Sequence, residues 1–199
     1  MFAEETRHID SAPSHMDAKR RQGIFFVSIA VAAVSFAITA QIGLNDNFLA
    51  DSPSLGGLRI DGFQKGMGEA IRETCGISAL LIFAILAGMV ERTIAFISIA
   101  VFAVGLGCSF CVYQYFWVVM LSVVWSQGLH VWMPLPNSMM LSLAEPGRTG
   151  YRLGQLQAVG AVASGTALVV CWVMCVVHVP IRPVYIMAGL VALVGASRA

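Results

Sequence analysis

The amino-acid sequence predicts an all-α fold, a polytopic membrane helix bundle of six transmembrane helices arranged as a 3+3 inverted repeat. Hydrophobic residues make up 58% of the chain and charged residues 12%, and the mean hydropathy is +0.79, more apolar side chain than a water-soluble core would bury. That apolar content falls into six long segments. In hydrocarbon only helices or a closed barrel satisfy the backbone, and barrel strands would be short and alternating. The repeat is read from "FQKGMGEAIRETCGISAL", Phe63 to Leu80, which aligns without gaps to "YRLGQLQAVGAVASGTAL", Tyr151 to Leu168. Both share an aromatic, a Gly three residues on, an acid or its amide three later, then Ala, and a closing Ser/Thr-Ala-Leu. They open the second and fifth spans from opposite sides, which is the relation an inverted repeat requires.

Residues 1–22 are polar and mixed in charge, include Pro13, and read as a flexible tail ending in Lys19, Arg20 and Arg21. The first span, Gly23 to Leu44, exceeds the roughly 7 to 15 residues of a signal-peptide core and matches the roughly 20 needed to cross a bilayer, so it is retained. A Gly/Pro/Asp-rich loop, Asn45 to Lys65, leads to the second span, Gly66 to Val90. Glu91 and Arg92 alone turn the chain into the third, Thr93 to Val112. The fourth, Tyr115 to Leu143, contains Pro134 and Pro136, which are expected to bend or unwind it beside Asn137. The fifth is Leu156 to Val179, and the sixth begins at Pro183 and runs out before the roughly 17 residues a span needs. Tyr113, Tyr115 and Trp117 read as an interfacial belt between the third and fourth spans.

Basic residues set the orientation. Arg7, Lys19, Arg20, Arg21, Arg92, Arg148, Arg152 and Arg198 fall on one side, against Arg59, Lys65 and Arg182 on the other. The excess places the N-terminus in the cytoplasm of a multi-pass cell (inner) membrane protein. A net charge of +1 without a basic face excludes nucleic acid as a partner. The five cysteines lie in or at the ends of apolar runs and read as small buried thiols. Cys108 and Cys111 form a C-x-x-C, but no second pair or nearby His completes a metal or redox site, so neither metal nor cofactor is expected.

Polar residues inside the spans carry the chemistry. An ionisable side chain at mid-membrane costs about 2.5 to 3.5 kcal/mol by insertion scales. Glu69, Arg72 and Glu73 open the second span and straddle its outer boundary if it ends at Val90. Two readings compete. The carboxylates either favour the positive end of the helix, with Arg72 neutralising one, or they form a gate or proton-coupling cluster at the mouth of a cavity. In the fourth span Gln127, His130, Pro134 and Asn137 recur at three- and four-residue steps, a polar stripe expected to face a cavity. Gln41 and Asn45 share a face at the end of the first span, and Asp46 is either a gate residue or a solvated end-cap.

The stretch "GLHVWMPLPNSMMLSLAEPGRTGYRLGQLQAVGAVASG" resembles the major facilitator superfamily of secondary transporters, through Gly128, Pro134, Glu145, Pro146, Arg148, Gly150, Gly154, Leu156 and Gln157. Two patterns of that family are absent. Gly88 is followed by Glu91 and Arg92 without the Gly-Arg-Lys end of the loop between spans two and three, and Gly160 and Gly165 stand in the fifth span without a proline. The resemblance covers six spans, half the usual number, and implies an N-terminal half. It further implies a pathway lined by the first and fourth spans, a seam to the other half at the second, and cytoplasmic loops carrying Glu91, Arg92, Arg148 and Arg152.

The expected function is therefore secondary active transport of a small solute by alternating access, with protons as the coupling ion suggested by the carboxylates. Expected partners are the lipid bilayer, the small-molecule substrate, and either a second six-helix half or another copy of the chain. The alternative is a non-transporting six-span subunit or scaffold that pairs with a partner. An enzyme is not expected. The nearest approach to an intramembrane serine-protease signature, Ser164 in "AVASG", lacks the first glycine, and no H-E-x-x-H occurs.

The topology is testable directly. A single cysteine at Ser54, in a chain with its native cysteines replaced, is expected to react with an impermeant thiol reagent added to intact cells. Labelling only after permeabilisation would reverse the orientation.

Overall fold

The computed structural model describes residues 15–50 and 57–198. The expected tail up to residue 14, Arg7 with it, and the middle of the Asn45–Lys65 loop lie outside the described residues. The elements are α1 (His15–Ala50), α2 (Gly62–Ile85), α3 (Glu91–Cys108) continued by a 3-10 turn (Ser109–Cys111), α4 (Tyr115–Trp132), α5 (Leu135–Leu143), α6 (Thr149–Val176) and α7 (Arg182–Ala196). Among the described residues the chain is helical without strands.

Four stretches are long and apolar enough to cross a membrane: α1 from Ala18, α3 with its 3-10 turn, α4 with α5, and α6. The other two expected spans fall short for different reasons. α2 has 24 residues, about 36 Å of helix, but carries Lys65, Glu69, Arg72 and Glu73 in its first half. α7 is apolar but only 15 residues long.

Five boundaries differ from expectation by four residues or more. α1 already starts at His15, within the expected tail, and α2 ends at Ile85 rather than Val90, so Leu86–Val90 connect it to α3 while Glu91 and Arg92, expected to form the turn, open α3. α1 continues through Asn45 to Ala50, where a loop was expected, because Leu44, Phe48 and Leu49 extend its buried face. α2 starts at Gly62 rather than Gly66, on a capping box in which the Gln64 N–H donates to the Asp61 carboxylate (2.8 Å) and the Asp61 N–H donates to Gln64 Oε1 (3.3 Å). α6 begins at Thr149, seven residues before Leu156. The proline effect is as expected. α4 stops at Trp132, Met133 and Pro134 form a turn, and α5 restarts with Pro136 in its first turn, where a missing N–H costs nothing.

The principal packing order is α2, α4, α3, α7, α1, α6. α3 lies at the centre against α4 and α7, while α2 and α6 are the end members, α2 packing on α4 and α6 on α1. The end helices bury little: Cys75 and Ala79 in α2, and Leu156, Ala167 and Cys171 in α6. Small residues let the central backbones meet. A Cβ added at Gly128 would lie 2.5 Å from both the Phe102 nitrogen and the Ser98 carbonyl oxygen, and one at Gly105 would lie 2.7 Å from the Trp125 nitrogen. On the other face of α3, a Cβ at Gly189 would come within 2.9 Å of the Ala103 carbonyl oxygen and of the Gly107 Cα. α7 then reaches α1 through Gly195, opposite Ala33 and Ala30.

These contacts leave no room for a methyl group, whereas nothing lies within 4 Å of a Cβ at Gly154. Gly128→Ala is expected to destabilise the bundle by about 1 to 3 kcal/mol through overpacking. Gly154→Ala, on an exposed helix face, is expected to be neutral or to stabilise by roughly 0.5 kcal/mol. Thermal unfolding in detergent separates the two. Equal behaviour would show that α3 and α4 are not held backbone to backbone.

Candidate functional site

A cavity of about 40 Å³ lies between α1, α2, α4 and α7, at the end of the bundle away from Lys19–Arg21. α1 supplies Gln41 and Asn45, one helical turn apart, with Gln41 Nε2 donating to Asn45 Oδ1 at 3.0 Å. Gln41 is only 4% exposed, and its Oε1 accepts no hydrogen bond. α7 supplies Tyr185, also 4% exposed, whose ring lies 4.6 Å from that of Phe48 and whose hydroxyl is likewise unpartnered. An unsatisfied buried polar group costs roughly 1 to 3 kcal/mol. Both residues line the cavity, one from α1 and one from α7. At about 10 to 15 Å³ per water, the space admits about three or four waters.

α2 closes the cavity with charge. Arg72 binds both carboxylates of the expected triad, through Glu69 Oε2 at 2.5 Å and Glu73 Oε1 at 2.7 Å, and its guanidinium lies 5.3 Å from the Trp125 ring centre. Glu69 and Arg72 line the cavity, while Glu73 is exposed. Because α2 starts at Gly62 and its first turn holds no acid, the triad sits two to three turns into the helix. Helix-end electrostatics fade within the first turn, so attraction to the helix terminus does not explain these carboxylates. At the mouth, Lys65 pairs with Asp46 at 2.5 Å and the Tyr115 hydroxyl donates to the Gln64 carbonyl at 2.9 Å, tying α2 to α1 and to α4.

The fourth-span stripe is divided. Gln127 and His130 face α2 rather than the cavity. Gln127 Oε1 accepts from the Ser78 hydroxyl (2.5 Å) while its Nε2 is buried without a partner, and the His130 ring lies 3.4 Å from where a Gly76 Cβ would stand. His130 Nδ1 is 2.9 Å from the Ser126 carbonyl oxygen. Pro134 lines a separate groove with Leu86, Gly88 and Glu91, and Asn137 is exposed. The structure therefore gathers Gln41, Asn45, Glu69 and Arg72 at the cavity and leaves the stripe elsewhere, because α2 covers Gln127 and His130 and the break at Met133 takes Pro134 and Asn137 off their helix.

The loop residues lie at the opposite, basic end. Glu91 accepts from the Ser138 hydroxyl at 2.7 Å, joining the start of α3 to α5, while Arg92 and Arg148 are exposed. Pro146 and Gly147 (φ 78°) form a tight turn closed by the Arg148 N–H on the Glu145 carbonyl (2.9 Å). That turn presents Glu145 to Arg152, which grips it through Nε at 2.8 Å and Nη2 at 2.5 Å. The Arg152 hydrogen bonds hold the Glu145 carboxyl well below the usual carboxylate range, at about 2.

Sequence reasoning gave no role to Tyr185 or Trp125, and it placed Arg182 in an outer loop without one. Arg182 is buried, donates to the carbonyls of Phe110 (2.8 Å) and Val112 (2.7 Å), and lies over the Tyr113 ring at 4.0 Å. The available signal was a cation and an aromatic within four residues at the start of a short apolar helix. No protein-family model, curated protein or solved structure matches the chain.

The Glu145 ion pair sets a pH dependence. A carboxyl whose pKa is lowered on folding contributes stability that is complete above its ordinary value of 4.5 and lost as the pH falls toward about 2. The melting temperatures of the wild type and Glu145→Gln are expected to differ near neutral pH and to converge across that acid window. A gap that persists at the acid end would mean that the pair does not stabilise the fold through ionisation.

Proposed function

We propose that the chain is a multi-pass membrane protein forming the six-span half of a secondary active transporter, which moves a small solute by alternating access. The cavity is its pathway, and Glu69, Arg72 and Glu73 are its gate and proton-coupling group. The observation that carries this reading is a cavity lined by Gln41 and Tyr185, each with a buried polar atom lacking a partner, and by the Glu69–Arg72 ion pair, within a bundle of otherwise apolar helices. Intramembrane ionisable groups that face a protein cavity mark solute and ion pathways.

The packing order supports six spans in two inverted halves. With α4 and α5 counted as one span, exchanging the first three spans for the last three maps α1 against α6 onto α4 against α2, and α1 against α7 onto α4 against α3. The aligned stretches also bury equivalent positions: Arg72, Cys75, Gly76 and Ala79 in α2 correspond to Gly160, Ala163, Ser164 and Ala167 in α6, and all eight are buried or half-buried. In this reading α2 and α6, the thinly covered end members, form the seam to a second half or a second copy. The basic end faces the cytoplasm of the cell (inner) membrane.

The small size of the cavity favours a second reading, a non-transporting six-span subunit, since about 40 Å³ is room for only a few waters. The two readings diverge in flux. In membrane vesicles containing the chain and its second half, the double change Glu69→Gln with Glu73→Gln keeps side-chain shape and removes the negative charge. It is expected to reduce pH-driven uptake at least roughly tenfold, equivalent to about 1.4 kcal/mol in the barrier, with protein level unchanged. Uptake that survives with its pH dependence intact would remove the cluster's role as gate and proton-coupling group. Purified chain that transports alone as a monomer would refute the half-transporter reading.

A further inference from the structure

A second cleft, of about 450 Å³, opens between α1 and α6 at the basic end, and no part of the proposed transport path uses it. The two helices run parallel here, Gly160 meeting Val31 and Ser35, and Ser164 accepting a hydrogen bond from Thr39. The α1 wall is Arg21, Ile24, Phe25 and Ser28, spaced i, i+3, i+4 and i+7 on one helix face; the α6 wall is Arg152, Gln155 and Val159, spaced i, i+3 and i+7. Each wall puts a guanidinium at the rim and aliphatic or aromatic carbon within the next two turns, about 10 Å deeper along the bundle. Phe25 is 61% exposed in this cleft, a large aromatic without protein cover.

We propose that this cleft binds one anionic phospholipid, with the headgroup phosphate at Arg21 and the first part of an acyl chain along Ile24, Phe25 and Val159. The charge gradient along the cleft is that of such a lipid, and an apolar floor has no use to a free anion. Arg152 is the fixed wall, since Nε and Nη2 hold Glu145 and Nη1 donates to Gln155 Oε1 at 2.8 Å. Exposed Arg21, with Lys19 and Arg148 also exposed at this end, supplies the uncommitted positive charge. Basic clefts between helices at a membrane surface are where anionic headgroups gain most. The inference rests on the membrane reading of the chain and is independent of transport.

The test uses the full chain purified in neutral detergent and titrated with dioleoyl phosphatidylglycerol or dioleoyl phosphatidylcholine, with native mass spectrometry reading the bound lipid. One phosphatidylglycerol is expected to be retained roughly tenfold more tightly than phosphatidylcholine. Arg21→Gln is expected to weaken it roughly fivefold, the worth of one basic side chain at an anionic surface. Arg92→Gln, which removes an exposed charge at the same end outside the cleft, is expected to leave it unchanged. Val159→Trp fills the cleft without changing charge and is expected to abolish retention, which keeps the test decisive if Arg21→Gln folds poorly. Equal retention of the two lipids, equal losses in Arg21→Gln and Arg92→Gln, full retention in Val159→Trp, or displacement by inorganic phosphate at matched concentration would each overturn the proposal.

Discussion

In hydrocarbon, apolar side chains gain nothing by meeting one another rather than lipid, so helices associate where their backbones approach closely enough for packing and polar contacts. α3 is where that condition is met on both sides. Gly105 and Gly128 bring its backbone against α4, and Gly107 and Gly189 bring it against α7. The cavity inherits its geometry from these four residues. Gly105 meets the backbone of Trp125, which fixes the ring on which Arg72 rests, and Arg72 in turn holds Glu69 and Glu73. Gly189 sets the position of α7, whose first turns carry Tyr185 into the cavity wall and Arg182 onto the carbonyls that end the 3-10 turn.

The charged groups then divide by end. Beside the cavity, Asp46, Lys65, Glu69 and Arg72 pair across or along helices, so each charge in this largely apolar bundle has an opposite partner close by. Gln41 and Tyr185 are left with unmet hydrogen-bonding capacity in a space that admits only a few waters. At the basic end an ion pair, Glu145 with Arg152, secures the Pro146–Gly147 turn, and a hydrogen bond from Ser138 to Glu91 joins α5 to the start of α3.

Much of the helix layout was legible because hydrophobic run length and proline placement act locally. The interruption at Pro134 and Pro136 follows from neighbouring residues, whereas the connection between α2 and α3 falls at Leu86–Val90 rather than at Glu91 and Arg92. Helix ends were less legible: Asn45 to Ala50 looks like loop by composition, and only the burial of Phe48 and Leu49 against other helices keeps it helical. The Glu69–Arg72–Glu73 network was legible from its spacing. The partner of a polar stripe was not, since periodicity places Gln127 and His130 on one face without saying that α2 covers it. Arg182 and Tyr185 were invisible for the same reason, because the groups they meet, at Phe48, Phe110 and Val112, are distant in sequence.

The central claim is that the cavity beside Gln41 is a pathway that opens in turn to each side of a membrane. The most direct measurement places a single cysteine at Gln41, in a chain with its native cysteines replaced, and follows its reaction with an impermeant thiol reagent in right-side-out and inside-out vesicles. The account predicts modification from both sides, at rates that change in opposite directions when the pH gradient is reversed. A thiol that reacts from neither side, or from one side only whatever the gradient, would contradict it.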